Sequence, residues 1–465
     1  MSFIHADFLL HSKTARHLYH AFAETLPIID YHCHLEPEAI AKNISFNNIT
    51  ELWLARDHYK WTAMRSYGID EKYITGSADD KEKFFAYAET LQYAIGNPLY
   101  HWSNLELKRY FNFDEPLTLK NAEKAWDWCN ERLNDGNFTA KNIISDSNVR
   151  FLCTTDDPID TLCWHEEIKN DISFNTKVLP AFRPDRILNI HKAEFPHYIE
   201  KLSSVTGKKI QNIDDLYSAL TVRLDFFVKN GCRLADHGIT MPVFSPASET
   251  DLNNLFFNAM SGITLSTTQI AEFQTAMLLF FGREYKKRDW AMQIHYGVLR
   301  DVNSRLFFSI GEDAGGDVIG AFSGIEQLAL FMNELDKDNN LPRTVLYSIN
   351  PTDNTALDVL IGVFQTGEAR GKVQHGPAWW FNDSIPGIEA HLTSLAACGI
   401  LGNFIGMLTD SRSFISYVRH DYFRRILCNF LGSLVEKGEY PNDNEMLSKI
   451  VCDICYNNAF DYFKF

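Results

Sequence analysis

His32 and His34 stand two residues apart in Asp30-Tyr31-His32-Cys33-His34, at the end of a short apolar run. On an extended chain, residues two apart point to the same side, so both imidazoles would face one way. Two neutral imidazoles on one face can share a divalent ion such as Zn2+ or Mn2+. The pair alone is a weak signal, because two satisfied core histidines would look the same. Asp410, in Thr409-Asp410-Ser411-Arg412, ends another apolar run and offers the carboxylate that would complete a His/His/Asp set with open positions. Arg412 would share the face of Asp410 if the chain stays extended, where it would stabilise a developing oxyanion or lower the pKa of a nearby base. Its alternative is a surface or helix N-terminal arginine. Arg183 offers a planar fork for a carboxylate, or a salt bridge to neighbouring Asp185. Of Asp236 and His237, alternation lets only one point inward, and Asp236 is the better candidate. His295 reads as a fourth ligand or a substrate contact. Asp57-His58-Tyr59-Lys60-Trp61 gathers protonatable and aromatic groups in one turn and reads as a lid, with only some of them able to face a site.

These residues must be brought together by strands. Apolar runs ending in polar or charged residues occur at Pro27–His34, Val149–Asp157, Lys177–Arg183, Gly231–His237, Ala291–Tyr296, Thr344–Asn350, Lys372–Trp380 and Ile405–Asp410. Short buried runs separated by helical stretches predict parallel strands with crossover helices. Eight of them favour a closed (β/α)8 barrel over an open doubly wound sheet. Closure makes the first and eighth strands neighbours, which sets Asp410 beside His32 and His34, with His295 across the barrel. The barrel is expected over 1–34 and 149–465. Residues 35–148, rich in Trp and Tyr, read as a mainly helical insertion covering the catalytic mouth. Residues 248–288 read as a helical hairpin, because Leu252, Leu255, Phe256, Met260, Ile270, Phe273, Met277 and Phe280 recur at helical spacing.

The formal charge of −16 over 465 residues argues against nucleic acid or an anionic membrane as partner. An anionic small molecule would have to be held by local cations, because the overall field repels it. No apolar stretch approaches the roughly 20 residues of a membrane span. The N-terminal Met1-Ser2-Phe3-Ile4-His5-Ala6-Asp7 lacks the pattern of a signal peptide. Nine scattered cysteines, an odd number, fit a reducing cytoplasm, and Cys452 and Cys455 read as ordinary helical cysteines.

Taken together, the motifs resemble the uronate (glucuronate) isomerases, a divergent branch of the amidohydrolase superfamily, over nearly the whole chain. The resemblance rests on the Asp30–His34 and Asp57–Trp61 motifs, Gly96-Asn97-Pro98-Leu99-Tyr100-His101-Trp102, Thr154-Thr155-Asp156-Asp157-Pro158, Arg183-Pro184-Asp185 and Asp236-His237. More specific are Trp379-Trp380-Phe381-Asn382-Asp383 and Gly406-Met407-Leu408-Thr409-Asp410-Ser411-Arg412-Ser413-Phe414. It implies a distorted TIM barrel with a large mainly helical insertion after strand one. It also implies conversion of D-glucuronate to D-fructuronate and of D-galacturonate to D-tagaturonate. By the same resemblance His32, His34 and Asp410 are metal ligands, for one divalent ion, Zn2+ or Mn2+. The resemblance also places His58, Tyr59, Arg183, Asp236, His295 and Arg412 at active-site positions; from their chemistry Tyr59, Asp236, Asp410 and Arg412 are expected to be catalytic, and His58, Arg183, His295 and Trp380 to bind the hexuronate. The run Ser348-Ile349-Asn350 lacks the histidine of binuclear amidohydrolases, and strand four lacks their bridging lysine, which limits the site to one ion. The rival readings are a metal-dependent hydrolase or deaminase on the same barrel and a noncatalytic sugar-acid binder. Oligomeric state, including a homo-oligomer, is left open.

Overall fold

A computed structural model describes residues 3–321 and 323–465; Met1 and Ser2 of the N-terminal stretch, and Phe322, lie outside it. Among the described residues nine strands follow in chain order: β1 Ile28–Asp30, β2 Val149–Cys153, β3 Lys177–Leu179, β4 Leu234–Ile239, β5 Ala291–Tyr296, β6 Val298–Leu299, β7 Val318–Ile319, β8 Arg343–Ser348 and β9 Val373–His375. They form two parallel sheets, β1-β2-β3 and β4-β5-β8-β9, and an antiparallel pair, β6-β7. Single bridges from Phe182 to Asp156 and to Ala235 connect the edge of the first sheet to β4. Every residue of β5 and β8 is buried, as expected of parallel strands covered on both faces. The chain is therefore an α/β protein with helices over parallel sheets.

Seven of the eight expected runs contain a strand. Ile405–Asp410 does not. Gly406 has φ +76°, and a Cβ there would lie 2.2 Å from the Ile454 carbonyl oxygen, so the chain passes too close to the C-terminal helices to form a ladder. Asp410 still pairs with the segment that follows β1, through its N–H on the His32 carbonyl at 3.2 Å, while the His34 N–H donates to the Ser411 carbonyl at 3.0 Å. The expected neighbour relation holds without an eighth ladder strand.

Between β1 and β2 lie seven α-helices, including His58–Tyr67 and Pro98–Phe111. Asp57 caps the first of these by accepting from the Tyr59 and Lys60 N–H groups, which fixes where His58 and Tyr59 begin. Two helices, Glu249–Met260 and Thr267–Lys287, occupy the 248–288 region, the second opened by a Ser266/Gln269 capping box. Their apolar stripe packs into the main core. The β6-β7 pair and the helix Ser304–Ile310 form an excursion between β5 and β8 that strand periodicity does not foresee. Among the described residues no helix is long and apolar enough to cross a membrane. Cys452 ends the helix Asn444–Cys452, and Cys455 lies in the π-helical turn that follows.

Candidate functional site

His32 and His34 follow β1, and their Nε2 atoms lie 3.2 and 3.0 Å from the same Asp410 oxygen, Oδ1. Ligand atoms around a tetrahedral ion with bonds of about 2.0 Å stand about 3.3 Å apart, so this set has the spacing of a metal site. Trp379 Nε1 donates to the other oxygen of Asp410, Oδ2, at 2.7 Å, which orients the carboxylate. Asp410 holds φ +47° and Trp380 φ +51°, the left-handed region that bulky residues rarely enter and that clusters at functional sites.

A second group, His32, Asp236 and His295, shares His32 with the first. Here Arg183 Nη1 lies 2.9 Å from Asp236 Oδ2, so a guanidinium already balances the carboxylate. The first group opens onto a cavity of about 750 Å³; Asp236 is fully buried beneath it. The first group is the better ion site for that reason. Among the described residues His32 Nδ1 has no hydrogen-bond partner, but Asp236 Oδ2 stands 3.8 Å away, as a carboxylate behind a ligating histidine would.

Burial pushes the His34 pKa down to about 4 against the pull of Asp410, which leaves a neutral imidazole able to donate a lone pair at pH 7. Burial also disfavours charge on His32, but Asp236 and Asp410 outweigh it and raise its pKa. Burial opposes the charge of Asp410, yet the His32 and His34 contacts hold its carboxyl well below the usual range.

His295, on β5, meets Asp236 Oδ1 through Nδ1 at 2.6 Å and stacks on Tyr347 with ring centroids 4.0 Å apart. Gly376 makes that stack feasible, because a Cβ there would lie 2.0 Å from the Tyr347 ring. Asp236 stays ionised because Arg183 and His295 outweigh its burial, so Nδ1 of His295 carries the proton and Nε2 is the free acceptor. Asp236, expected among the catalytic residues, points inward from β4 but is fully buried and holds the His295 and Arg183 side chains rather than lining the cavity itself. His237, its neighbour, turns away toward the Tyr285 hydroxyl at 3.2 Å.

Arg183 makes the salt bridge to Asp185 and also lines the cavity. Nε donates to Asp185 Oδ2 at 2.7 Å, Nη1 lies 2.9 Å from Asp236 Oδ2, and Nη2 packs close to Gly238. His58, Tyr59, Trp380 and Arg412 line the same cavity. His58 packs edge-on against Trp380 at 5.2 Å, and burial lowers its pKa. Burial and the charge of Asp410 push the Tyr59 phenol well above 10, so it is protonated and can donate.

Sequence reasoning passed over the roles of Trp379, Tyr347 and, above all, Asp313. Asp313 belongs to the excursion after β5 and accepts from Arg412 Nη2 at 2.7 Å. Its carboxylate occupies the donor that an anionic oxygen of a ligand would need. Asp313→Asn should lower KM for an anionic substrate about two- to fivefold, the worth of a half-exposed pair. Initial-rate kinetics check this; an unchanged or raised KM contradicts the blocking role.

The comparisons with known proteins now decide the family. A family model described as glucuronate isomerase matches residues 1–463. The chain belongs to the glucuronate isomerase family. It is 50% identical to the uronate isomerase of Endomicrobium trichonymphae, covering 100% of this chain and 99% of that one. The relative from Lachnoclostridium phytofermentans is 51% identical, at the same coverage. Among solved structures, the uronate isomerase of Thermotoga maritima superposes with TM-score 0.94 at 34% identity, covering 100% of both chains. The glucuronate isomerase of Caulobacter crescentus gives 0.92 at 26% identity, covering 99% of this chain and 97% of that one. In this glucuronate isomerase family member the motifs Asp30–His34, Asp57–Trp61, Thr154–Pro158, Arg183–Asp185, Trp379–Asp383 and Gly406–Phe414 each place a residue at the wall of this cavity, and Asp236 lies buried beneath it, whereas Gly96–Trp102 lines a separate pocket.

Proposed function

We propose that the chain interconverts D-glucuronate with D-fructuronate and D-galacturonate with D-tagaturonate, by proton transfer through an enediol. The observation that carries this reading is the meeting of His32, His34, Asp410, Arg183 and Arg412 at one cavity, in a chain of the glucuronate isomerase family over its length. The two parallel sheets are read as parts of a distorted (β/α)8 barrel over 1–34 and 149–465, with 35–148 as a helical insertion that brings His58 and Tyr59 to the mouth and 248–288 as a hairpin on its flank. Nine unpaired cysteines suit a reducing cytoplasm.

Isomerisation moves a proton between C2 and C1 while charge builds on the C1 and C2 oxygens. Arg183, with His58, takes the C6 carboxylate; Asp185 and Asp236 hold its plane. Neutral His295 accepts from a sugar hydroxyl through Nε2, and Asp236 acts by fixing that tautomer. Asp410 is the ionised group for the C2 proton, and Tyr59 and Arg412 donate to the developing oxyanion. Trp380 walls the sugar. A divalent ion, Zn2+ or Mn2+, held by His32, His34 and Asp410 would supply Lewis-acid polarisation of a sugar oxygen.

Arg183→Lys tests the carboxylate role better than an apolar replacement, because it leaves a cation beside buried Asp236. KM for uronates should rise about ten- to a hundredfold, the worth of a charge-assisted hydrogen bond, with a smaller change in kcat. An unchanged KM removes Arg183 from carboxylate binding. The function itself is tested by incubating purified, metal-supplemented protein with D-glucuronate and D-galacturonate and following ketose formation. Conversion is expected; no ketose from either sugar contradicts the proposal.

A further inference from the structure

Asp410 must aim one oxygen at two imidazoles from a segment that belongs to no ladder and holds a left-handed backbone. Such a conformation persists only where its surroundings over-determine it. Beside the Trp379 contact and the Asp410 N–H bond to the His32 carbonyl, a further constraint lies one residue upstream. The Thr409 N–H donates to Asp30 Oδ1 at 2.7 Å, and the Thr409 hydroxyl donates to Asp30 Oδ2 at 2.6 Å. Arg419 Nη1 donates to the Thr409 carbonyl at 2.9 Å. Every polar group of Thr409 is thereby held.

We infer that Asp30 and Arg419 are positioning residues of the isomerase site, clamping Thr409 so that the Asp410 carboxylate meets His32 and His34 in one orientation. Asp30 is fully buried and ends the same strand that leads to both histidines, so the two halves of the ligand set share one rigid support. Arg419, also buried, begins the helix Val418–Glu436 and stacks over Trp102 at 4.1 Å and Tyr59 at 5.4 Å. One guanidinium therefore touches both the Thr409 carbonyl, which precedes Asp410, and the Tyr59 ring. Its nearest counter-charge, Asp383, is 4.0 Å away, too far for a good hydrogen bond, so neutralising Asp383 does not by itself account for its position. Carboxylates and cations placed behind metal ligands orient them and are costly to remove.

The inference rests on the functional reading above, and its test separates the two. Thr409→Val removes one clamp donor at nearly constant volume, Thr409→Ser keeps it, and Asp30→Asn and Arg419→Lys weaken the grips. Zinc affinity is measured on metal-stripped, folded protein by competition with a chromogenic chelator, beside Tm, kcat and KM. Thr409→Val, Asp30→Asn and Arg419→Lys should each weaken zinc binding about ten- to a hundredfold. They should lower kcat more than they change KM, while Thr409→Ser stays close to wild type. A lowered Tm with zinc affinity and kcat per folded molecule unchanged overturns the clamp. If Asp30→Asn does not fold, the Thr409→Val and Thr409→Ser pair decides by the same criterion. Wild-type protein that binds neither Zn2+ nor Mn2+ overturns the metal reading and the clamp together. Wild type that binds metal and isomerises uronates, beside unaltered variants, overturns the clamp alone.

Discussion

Replacing Arg412 by lysine should lower kcat about 10²- to 10³-fold while changing KM for uronates much less. The expected size is that of removing one preorganised donor aimed at a developing oxyanion. Lysine keeps the charge but presents a mobile point donor in place of a planar fork. Arg412 follows Asp410 by two residues and among the described residues pairs with half-exposed Asp313, so substrate can take over its Nη2 as charge develops. Single-turnover kinetics on metal-loaded protein give the chemical step directly. Near-normal kcat in the variant would remove Arg412 from the chemistry and leave it a surface arginine.

Stripping the divalent ion should abolish turnover and also weaken uronate binding by about tenfold or more, equivalent to about 1.4 kcal/mol. The second effect follows from charge. The cavity is lined by Arg183, Lys192, Arg300 and Arg412 against six carboxylates, inside a chain of net charge −16. Its own arginines are spoken for: Arg183 by Asp185 and Asp236, Arg412 by Asp313, and Arg300 by Asp317. A divalent ion on His32, His34 and Asp410 would turn this acidic pocket into one that could hold an anion. Titration with a non-reacting sugar acid, before and after chelation and after adding Zn2+ or Mn2+, reads this without turnover. Equal affinity in both states contradicts it. Acid should act in the same direction. His34, and His237 outside the ligand set, are held near pKa 4, below the usual 6.5, so they take up protons on unfolding. Their contribution is present above about pH 6.5 and is lost as pH falls toward 4, which a Tm–pH series shows as declining stability over that window.

Much of this site is legible in the sequence because strand ends are. A buried apolar run closing on a polar residue gives both a strand and its catalytic-face residue, and this rule located His32, His34, Arg183, Asp236 and His295. Period-two alternation chose Asp236 over His237 correctly. It could not tell that Asp236 lies under the cavity, since depth depends on which side chains cross it from neighbouring strands. The rule failed at Ile405–Asp410, where Gly406 and the C-terminal helices block a ladder and side chains take over the pairing. Loops carry no period, so Asp313 was missed; the one available signal was the glycine- and acid-rich stretch Gly311-Glu312-Asp313-Ala314-Gly315-Gly316-Asp317 after strand five. Adjacent Trp379 and Trp380 both line the cavity, and nothing in their sequence tells which indole hydrogen-bonds Asp410; in the structure it is Trp379.

The most direct measurement is the reaction of metal-loaded protein with D-glucuronate in deuterated water, followed by NMR at early conversion. Proton transfer through an enediol predicts D-fructuronate carrying deuterium at C1, with Arg412→Lys slowing both product formation and label uptake. Ketose that forms at full rate with no deuterium at C1 would mean a direct hydride shift and contradict the roles given to Asp410, Tyr59 and Arg412.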